Sequence, residues 1–394
     1  MKKKRVLWLL NHTTLMNAEV PLLVNLEFEV FTPKIFPPDD ANRSASVTYD
    51  FDETLTIPIE LLKQLNGFDF YSSRWPASLR KKINAHFEIV ICAFFPKMLN
   101  KVSDAFDGDI FLRVFGMAGD TTYASLIEQF GSKGLIRRFK TKDRIWFAPS
   151  YANIAENEPR WLKKNTVYLP LGLPVSYYKN KNQWQPVENS ILFICPRIKT
   201  SPYYQQIYKE FKSSFGNFSH IIAGAQPEAV EDDSHVTGFI SVEQYHQLMK
   251  TCKVMFYHSK EERHLHYHPL EAVVCGMPLI FMAGGMLDYL AGEQLPGSCE
   301  TFSEARRKIA RVFSGDEEFI NSIVESQKIL LRDFSSEYVS SIWETGFLPI
   351  IKQNFPDLEV HVSTQAAITN SYMSQLVKDA DKVPLVFAYH EIIK

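Results

Sequence analysis

Residues 254–285, VMFYHSKEERHLHYHPLEAVVCGMPLIFMAGG, give the clearest fold signal in the chain. An apolar run ends at Tyr257 and a polar loop follows it. Pro269 then suits the first turn of a helix, where its fixed φ and missing N–H are tolerated, and Gly276 suits the left-handed cap that ends one. A second apolar run follows at Leu279–Met282. This order of strand, loop, helix and strand is typical of α/β proteins with parallel sheets.

The same alternation extends over most of the chain in two consecutive series. The predicted strands lie at 5–10, 28–32, 89–95, 110–115, 145–148 and 167–171, and then at 190–195, 220–223, 236–240, 254–257 and 279–282. A polar stretch, Lys179–Asn189, separates the two series. We therefore expect two Rossmann-like domains facing a cleft, over residues 1–180 and 181–345, and a C-terminal helical segment, 346–394, that packs back across both.

Composition excludes several classes of protein. Of the 394 residues, 45% are hydrophobic and 22% charged, close to the average for soluble globular proteins. Lys and Arg number 43 against 45 Asp and Glu, a net charge of −2, so no global excess of positive charge is present to bind nucleic acid.

Cysteine usage and hydropathy indicate the compartment. The five cysteines are widely spaced and include no CxxC pair, which favours reduced thiols in a cytoplasm. The apolar stretch Val6–Leu10 is too short for a signal peptide, and no window approaches the ~20 apolar residues of a spanning helix. The chain is expected to be soluble and cytoplasmic, and peripheral association with the inner membrane stays open.

Ligands of parallel α/β sheets bind in crevices outside the carboxyl ends of the strands, so the loops that follow strands are the ones to search. The helix that begins near His268 offers backbone N–H groups and the positive end of its dipole, which suit a phosphate. The alternative is structural: His268 is then a helix cap, and Glu271 a first-turn acid that stabilises the helix.

Two groups of residues resemble metal-binding motifs, but neither has the spacing or position that such a site needs. His264, His266 and His268 alternate, but no cysteine or acid lies nearby at a recognised zinc spacing, so we expect no metal. Asp107-Gly-Asp109 is a DxD that precedes a predicted strand instead of ending one, and we interpret it as a turn.

The residues quoted above resemble the nucleotide-binding half of GT-B glycosyltransferases. In that family a helix of the type PLEAMACGTPV follows a strand, and here the corresponding stretch is HPLEAVVCGMP, residues 268–278. Residues 236–259 resemble the preceding segment, and Cys195-Pro-Arg-Ile-Lys199 resembles the loop that contacts phosphate. The resemblance implies that the nucleotide is bound by Arg197, Lys199, Ser259, His268 and Glu271, with Glu271 on the ribose.

One departure separates subfamilies. The large retaining family with an E-x7-E pattern has an acid at the position of Arg263. The combination of Gln226-Pro227, His268-Pro269 and the acidic run 231–233 is instead similar to bacterial retaining β-Kdo transferases of the WbbB and KpsC type. That resemblance implies transfer of Kdo from CMP-β-Kdo to a bacterial surface glycan, such as a lipopolysaccharide O-antigen or a capsule, with retention and without a metal or other cofactor.

Retention is most simply achieved by two inversions through a carboxylate adduct. The family match favours Asp232 as the nucleophile, with His268 at the leaving phosphate, whereas the residues alone do not separate Asp232 from Glu231 and Asp233. Without the family match, the acidic run is interpreted as a solvated turn.

The acceptor hydroxyl needs a base from the first domain. Glu158 is the first candidate and His12 the second, and each is also compatible with a polar surface role. Gly116 begins a loop that permits close backbone approach to a ligand. Together with Gln226 and His12, it is predicted to line the donor and acceptor cleft.

Other functions stay open at this level. One is a GT-B glycosyltransferase with a UDP- or GDP-sugar donor, and another is a non-catalytic module that binds glycan or nucleotide. The expected partners are a CMP-activated sugar and an oligosaccharide or lipid-linked acceptor, with no nucleic acid. Further modules of a longer chain are also compatible with the sequence.

Overall fold

The computed structural model describes residues 4–10, 12–35, 55–117, 119–141 and 143–356. They form two compact units: the first unit comprises residues up to 174 together with 334–356, and the second unit comprises 175–333. The sequence predicts a domain boundary at 180/181, and the structure divides the chain at 174/175. Only residues 346–356 of the predicted C-terminal segment are described, and they group with the first unit.

A five-stranded parallel sheet forms the first unit, in the order β2-β1-β3-β4-β5. Its strands are apolar and buried on both faces, as expected where helices cover a parallel sheet on both sides. The elements are β1 (Arg5–Leu9), α1 (Thr13–Asn25), β2 (Glu29–Phe31), α2 (Ile59–Asn66), α3 (Ala77–His86), β3 (Ile89–Ala93), α4 (Pro96–Ala105), β4 (Asp109–Val114), α5 (Tyr123–Phe130), α6 (Lys133–Thr141), β5 (Ile145–Pro149) and α7 (Arg160–Lys163), with α14 (Ser336–Asn354) joining from the end of the described chain.

The second unit repeats this architecture around a parallel sheet of order β10-β9-β8-β6-β7. Stacked phenylalanines fill its core, such as Phe193 and Phe211, whose ring centroids lie 4.0 Å apart. The elements are β6 (Glu188–Ile194), α8 (Pro202–Phe215), β7 (His220–Ala223), α9 (Val242–Thr251), β8 (Cys252–Tyr257), α10 (His268–Cys275), β9 (Leu279–Met282), α11 (Met286–Ala291), β10 (Ser298–Cys299), α12 (Phe302–Phe313) and α13 (Glu317–Ser326).

Two predicted strands are wrong. Residues 167–171 and 236–240 run beside sheet edges, but the bridges there are isolated ones, Phe147 with Thr166 and Ile222 with Val236. Pro170 has no N–H to continue the pairing beside β5. Gly238, at φ 68°, turns the chain into the left-handed region directly after Thr237 has bonded to Ile222.

A buried ion pair joins α1 to β4 in the first unit. Arg113 Nη2 lies 2.6 Å from Glu19 Oε1, and the two side chains are 0% and 1% exposed. Trp8 Nε1 donates to the other Glu19 oxygen at 3.2 Å, and Arg113 Nη1 donates to the Ala148 carbonyl oxygen at 2.8 Å. Both charges are thus hydrogen-bonded, which is what makes their burial tolerable.

The same ion pair anchors α14. The Trp343 ring lies 5.4 Å from the Arg113 guanidinium, and Trp343 Nε1 donates to the Pro170 carbonyl oxygen at 3.0 Å. At the end of α14, Asn354 Nδ2 donates to Asp109 at 2.9 Å. Asp109 is the buried first residue of β4 and not part of a turn. It holds α14 in place, and burial raises the pKa of its carboxyl.

Over the described ranges, no helix combines the length and the apolar character needed to cross a membrane. The five cysteines are all buried free thiols.

Replacing Glu19 by Gln should destabilise the first unit by about 3–5 kcal/mol, because it leaves the Arg113 charge buried without a counter-ion. Urea unfolding followed by circular dichroism measures this. The control is Glu60→Gln, which removes a 3.1 Å pair with Lys63 that is exposed to solvent and should cost less than about 1 kcal/mol. Equal losses in the two variants would contradict the role given to the buried pair.

Candidate functional site

The carboxyl edge of the second unit's sheet brings several loops together. The loop after β8 packs against the loop after β9, since Met286 N donates to the Glu261 carbonyl oxygen at 2.9 Å. Gly285 permits this approach, because a Cβ at that position would lie 3.0 Å from the Ser259 carbonyl oxygen. Ser259 is buried there, and its hydroxyl accepts from Glu261 N at 3.3 Å.

The helix α10 starts at this edge and is buried over all eight residues. Its first turn offers fewer free amides than predicted. Pro269 has no N–H, and the amides of Leu270 and Glu271 both donate to the Tyr267 carbonyl oxygen, at 2.9 and 3.0 Å. The helix ends at Gly276, φ 89°, as expected. An anion at this start would therefore depend on the dipole and on side chains more than on the amides of Leu270 and Glu271.

Imidazoles are packed at the start of α10. The rings of His264 and His266 lie 4.8 Å apart, and those of His266 and His268 lie 5.4 Å apart. The hydroxyl of Tyr257, the last residue of β8, lies 3.0 Å from His266 Nδ1. Burial, together with the neighbouring His258, lowers the pKa of His268 well below its ordinary value. His268 is thus neutral at physiological pH.

Among the residues that the structure describes, no group of three or more His, Cys, Asp or Glu side chains is placed to hold a metal ion. Arg263, buried beside His264, occupies the position of the first acid of the E-x7-E pattern. The loop therefore carries an arginine, and not an acid, at this position.

The loop after β6 carries the predicted phosphate contacts. Arg197 is buried and adopts the left-handed region at φ 56°, which is uncommon for a residue with a side chain. Lys199 is exposed two residues further on. The side chain of Gln226, predicted to line a cleft, instead forms hydrogen bonds with backbone atoms of this loop. Arg197 and His268 thus both lie at the carboxyl edge, at the ends of β6 and β8.

Glu271 lies inside the second unit, facing α9 and the segment 175–180. Burial raises the pKa of its carboxyl to about 7, while hydrogen bonds from the hydroxyls of Tyr177 and Tyr245 act in the opposite direction. The pKa of Tyr245 is in turn raised well above its ordinary value by burial and by Glu271. Glu271 thus contacts two tyrosines. The resemblance that places Glu271 on the ribose does not predict these contacts.

The acidic run 231–233 lies near the amino end of β7. Asp233 is buried and accepts from Lys212 Nζ at 2.8 Å and Tyr208 Oη at 2.8 Å, and Lys212 Nζ also lies 3.0 Å from Nε2 of His220, the first residue of β7. Burial acts to raise the pKa of Asp233, but its hydrogen bonds outweigh this effect and hold the pKa below its ordinary value. Asp232 is exposed beside it. The structure does not bring Asp232 together with His268.

In the first unit, the predicted residues also follow strands, and the contacts of two of them are structural. Glu158 accepts from the amides of Tyr123 and Ala124 at 2.7 and 2.9 Å, and so stabilises the start of α5. Gly116, at φ 106°, follows β4, and its carbonyl oxygen accepts from the Tyr123 hydroxyl at 2.9 Å.

His12 caps α1. Its Nδ1 accepts from the Leu15 amide at 3.2 Å, and burial lowers its pKa to about 3. A neutral ring whose Nδ1 accepts carries its proton on Nε2. His12 could therefore act as a base only by giving up the helix cap.

Comparisons with known proteins report on the fold. No protein-family model matches the chain, and no curated protein matches its sequence. A glycosyltransferase from Rickettsia africae is 10% identical with a TM-score of 0.57, covering 91% of this chain and 100% of that one. Sucrose-phosphate synthase from Thermosynechococcus elongatus is 12% identical with a TM-score of 0.55, covering 91% and 100%. HepE from Anabaena, in complex with UDP and glucose, is 13% identical with a TM-score of 0.52, covering 89% and 100%.

The fold is the GT-B fold. The predicted class, α/β with two Rossmann-like domains on parallel sheets, is confirmed. At identities this low, the likeness establishes architecture alone.

Several residues of the site have no signal in the sequence that would assign them to it. Tyr177 and Tyr245 approach Glu271 from two different elements, and Tyr257 is one aromatic residue among many at strand ends. The alternation of His264, His266 and His268 is visible, and it suggested only a metal. The sequence shows Arg263 as a departure from the E-x7-E pattern, and only the structure shows that it is buried.

Glu271→Gln should change how stability depends on pH. Because the folded-state pKa is raised, the acid's contribution is fully present below about pH 4.5 and is lost as pH rises through about 7. Relative to the Gln variant, the wild type should lose up to about 3 kcal/mol between pH 5 and pH 8. Chemical unfolding at both pH values measures this, with the exposed Glu318→Gln as control. The same difference at both pH values would contradict the assignment.

Asp233→Asn should lower the free energy of unfolding at pH 7 by about 1–3 kcal/mol, since it weakens hydrogen bonds to a charged acceptor. The loss should shrink as pH falls below about 4, where the carboxyl of the unfolded wild type becomes protonated. Asp232→Asn, one residue away and exposed, is the matched control and should stay within about 0.5 kcal/mol. A larger effect from Asp232 would show that the two acids have been assigned the wrong way round.

Proposed function

We propose that this protein is a glycosyltransferase that takes the acidic sugar Kdo from CMP-β-Kdo and passes it to a bacterial surface glycan. The observation that carries the proposal is the buried set of Arg263, His264, His266 and His268 at the start of α10. This set places an arginine and three imidazole rings where the E-x7-E enzymes have a carboxylate.

The charge of the donor fits that set. CMP-Kdo carries a phosphate charge and, on the sugar itself, a carboxylate, so two negative groups lie close to the reacting carbon. A planar guanidinium binds a carboxylate through two parallel hydrogen bonds. A hexose attached to UDP or GDP has no such group on the sugar, and Arg263 would have no equivalent task there.

Departure of CMP builds a second charge on the phosphate. The positive end of the α10 dipole, the neutral His268 and the Arg197 guanidinium supply stabilisation at the edge where β6 and β8 end. This division of labour needs no metal in the proposed reaction. The CMP that leaves would be bound by the same loops that bind the donor.

The acceptor and the nucleophile are less constrained. We propose an oligosaccharide or lipid-linked acceptor, with work at the inner membrane surface. Retention through an aspartyl adduct stays a prediction. The donor proposal does not rest on Asp232, which is exposed beside Asp233 near the amino end of β7. Intact-mass measurement after exposure to CMP-Kdo tests for such an adduct.

A UDP-sugar donor is the second candidate, favoured by one observation: the HepE structure of the same fold contains UDP and glucose. It gives no account of an arginine at position 263, where the E-x7-E enzymes have an acid. A non-catalytic module would bind nucleotide and form no product.

Thermal shift with CMP, UDP and GDP at equal concentrations should show stabilisation by CMP, and incubation with CMP-Kdo and a glycan acceptor should yield product. Arg263→Gln should raise the KM for CMP-Kdo by about 10- to 100-fold, the range expected for losing a hydrogen bond between charged groups. It should leave the Kd of CMP within about threefold, because CMP lacks the sugar carboxylate.

Arg311→Gln, on the exposed face of α12, is the control and should change neither constant. Stabilisation by UDP or GDP with none by CMP would end the Kdo proposal. Nucleotide binding without product, over a range of acceptors, would favour the non-catalytic module. An equal loss of CMP and CMP-Kdo binding in Arg263→Gln would place Arg263 at the phosphate and not at the sugar.

A further inference from the structure

The loop after β6 holds Arg197 in an unfavourable conformation. At φ 56° this residue lies in the left-handed region, where a side chain costs about 1 kcal/mol or more. Its amide donates to the Ala225 carbonyl oxygen at 2.9 Å, and its carbonyl oxygen accepts from Ser201 N at 2.9 Å. Such a backbone conformation persists only where the surrounding structure stabilises it, and residues of this kind cluster at functional sites.

The buried side chain of Gln226 stabilises this backbone conformation. Its Oε1 accepts from Ile198 N at 2.9 Å, and its Nε2 donates to the carbonyl oxygens of Cys195 at 2.8 Å and Gly224 at 3.0 Å. Two of these bonds fix the backbone on either side of Arg197. Gln226 itself is 4% exposed, so it has almost no surface left for a ligand.

Gly224 lets the two loops meet. At φ 124° it adopts a conformation that L side chains rarely reach, and a Cβ there would lie 2.8 Å from Pro196 N. The loop after β7 therefore lies directly on the loop after β6, at the distance that the Gln226 amide can span. The residues 224–226 and 195–198 form one hydrogen-bonded body at the carboxyl edge of the sheet.

We propose that Gln226 is a positioning residue for anion binding: it presets the loop that presents Arg197 to the donor phosphate and does not touch the donor itself. This inference rests on the proposed function, since it needs a nucleotide phosphate at Arg197. It changes the predicted role of Gln226 from a cleft residue to a support for the loop. Preorganisation of this kind raises affinity because the loop is already ordered before the ligand binds, so binding carries no entropy cost for ordering it.

The test uses Gln226→Met, which keeps the length of the side chain and removes all three hydrogen bonds. We expect the Kd of CMP, measured by calorimetry on the full chain, to rise about tenfold, as for a lost hydrogen-bond network of this size. In an Arg197→Ala background the same substitution should weaken CMP no further, because its effect passes through Arg197. Gln226→Glu, which keeps the acceptor for Ile198 N and loses both donors, serves if the Met variant does not fold.

The matched control is Gln327→Met. Gln327 is also buried, accepts from Leu279 N at 3.0 Å and donates to the Met277 carbonyl oxygen at 2.9 Å, but at the amino end of β9. It should lower the melting temperature without changing the Kd of CMP. This comparison separates a role at the anion site from a general loosening of the second unit.

The results distinguish failure of the inference about Gln226 from failure of the proposed function. Unchanged CMP affinity in Gln226→Met would overturn the inference, and so would equal weakening in Gln327→Met or an additive loss in the Arg197→Ala background. In each of these cases the wild type still binds CMP, and the proposed function stands. A wild type that binds no nucleotide would overturn the proposed function and the role of Gln226 with it.

Discussion

The complete burial of α10 is the constraint on which the second unit depends. One side of the helix packs on β8 and β9 and another on α9 and the segment 175–180, so it has no solvent face along which to shift. The start of α10 is therefore fixed at the carboxyl edge of the sheet. The histidine-bearing loop that precedes the helix is held at the same edge. Glu271 is its only charged residue, and the cost of burying this acid is offset by two tyrosine hydroxyls instead of a cation.

Three buried acids of this protein show how the surroundings decide what a carboxylate can do. Glu19 faces a guanidinium and is held in a full ion pair. Asp233 accepts hydrogen bonds from Lys212, Tyr208 and His235, which keep its pKa low. Glu271 has no cation, and its pKa moves towards neutrality. The first two are committed to the stability of a unit, whereas Glu271 is the one whose charge state changes near physiological pH.

The sequence predicts most strands correctly because a parallel sheet covered on both faces needs continuous apolar runs, and it predicts α10 from Pro269 and Gly276. It does not show whether an apolar run is paired in a sheet, so it also predicts strands at 167–171 and 236–240, where the structure has only isolated bridges. At the site, it finds the loops and the residue types but not their partners. Glu158 was predicted as a base and bonds to the start of α5, because that contact depends on how two distant loops meet.

The start of α10 also explains why side chains dominate this site. Pro269 removes one donor, and the carbonyl oxygen of Tyr267 takes the amides of Leu270 and Glu271, so the first turn is largely closed on itself. In the proposed function, an anion there is recognised by groups from the flanking loops, chiefly Arg197, Arg263 and the imidazoles. Backbone amides bind any phosphate alike, whereas side chains differ in charge, shape and reach. The proposed site would therefore gain selectivity for one donor from its side chains, and it would depend on the hydrogen bonds that hold its loops in place.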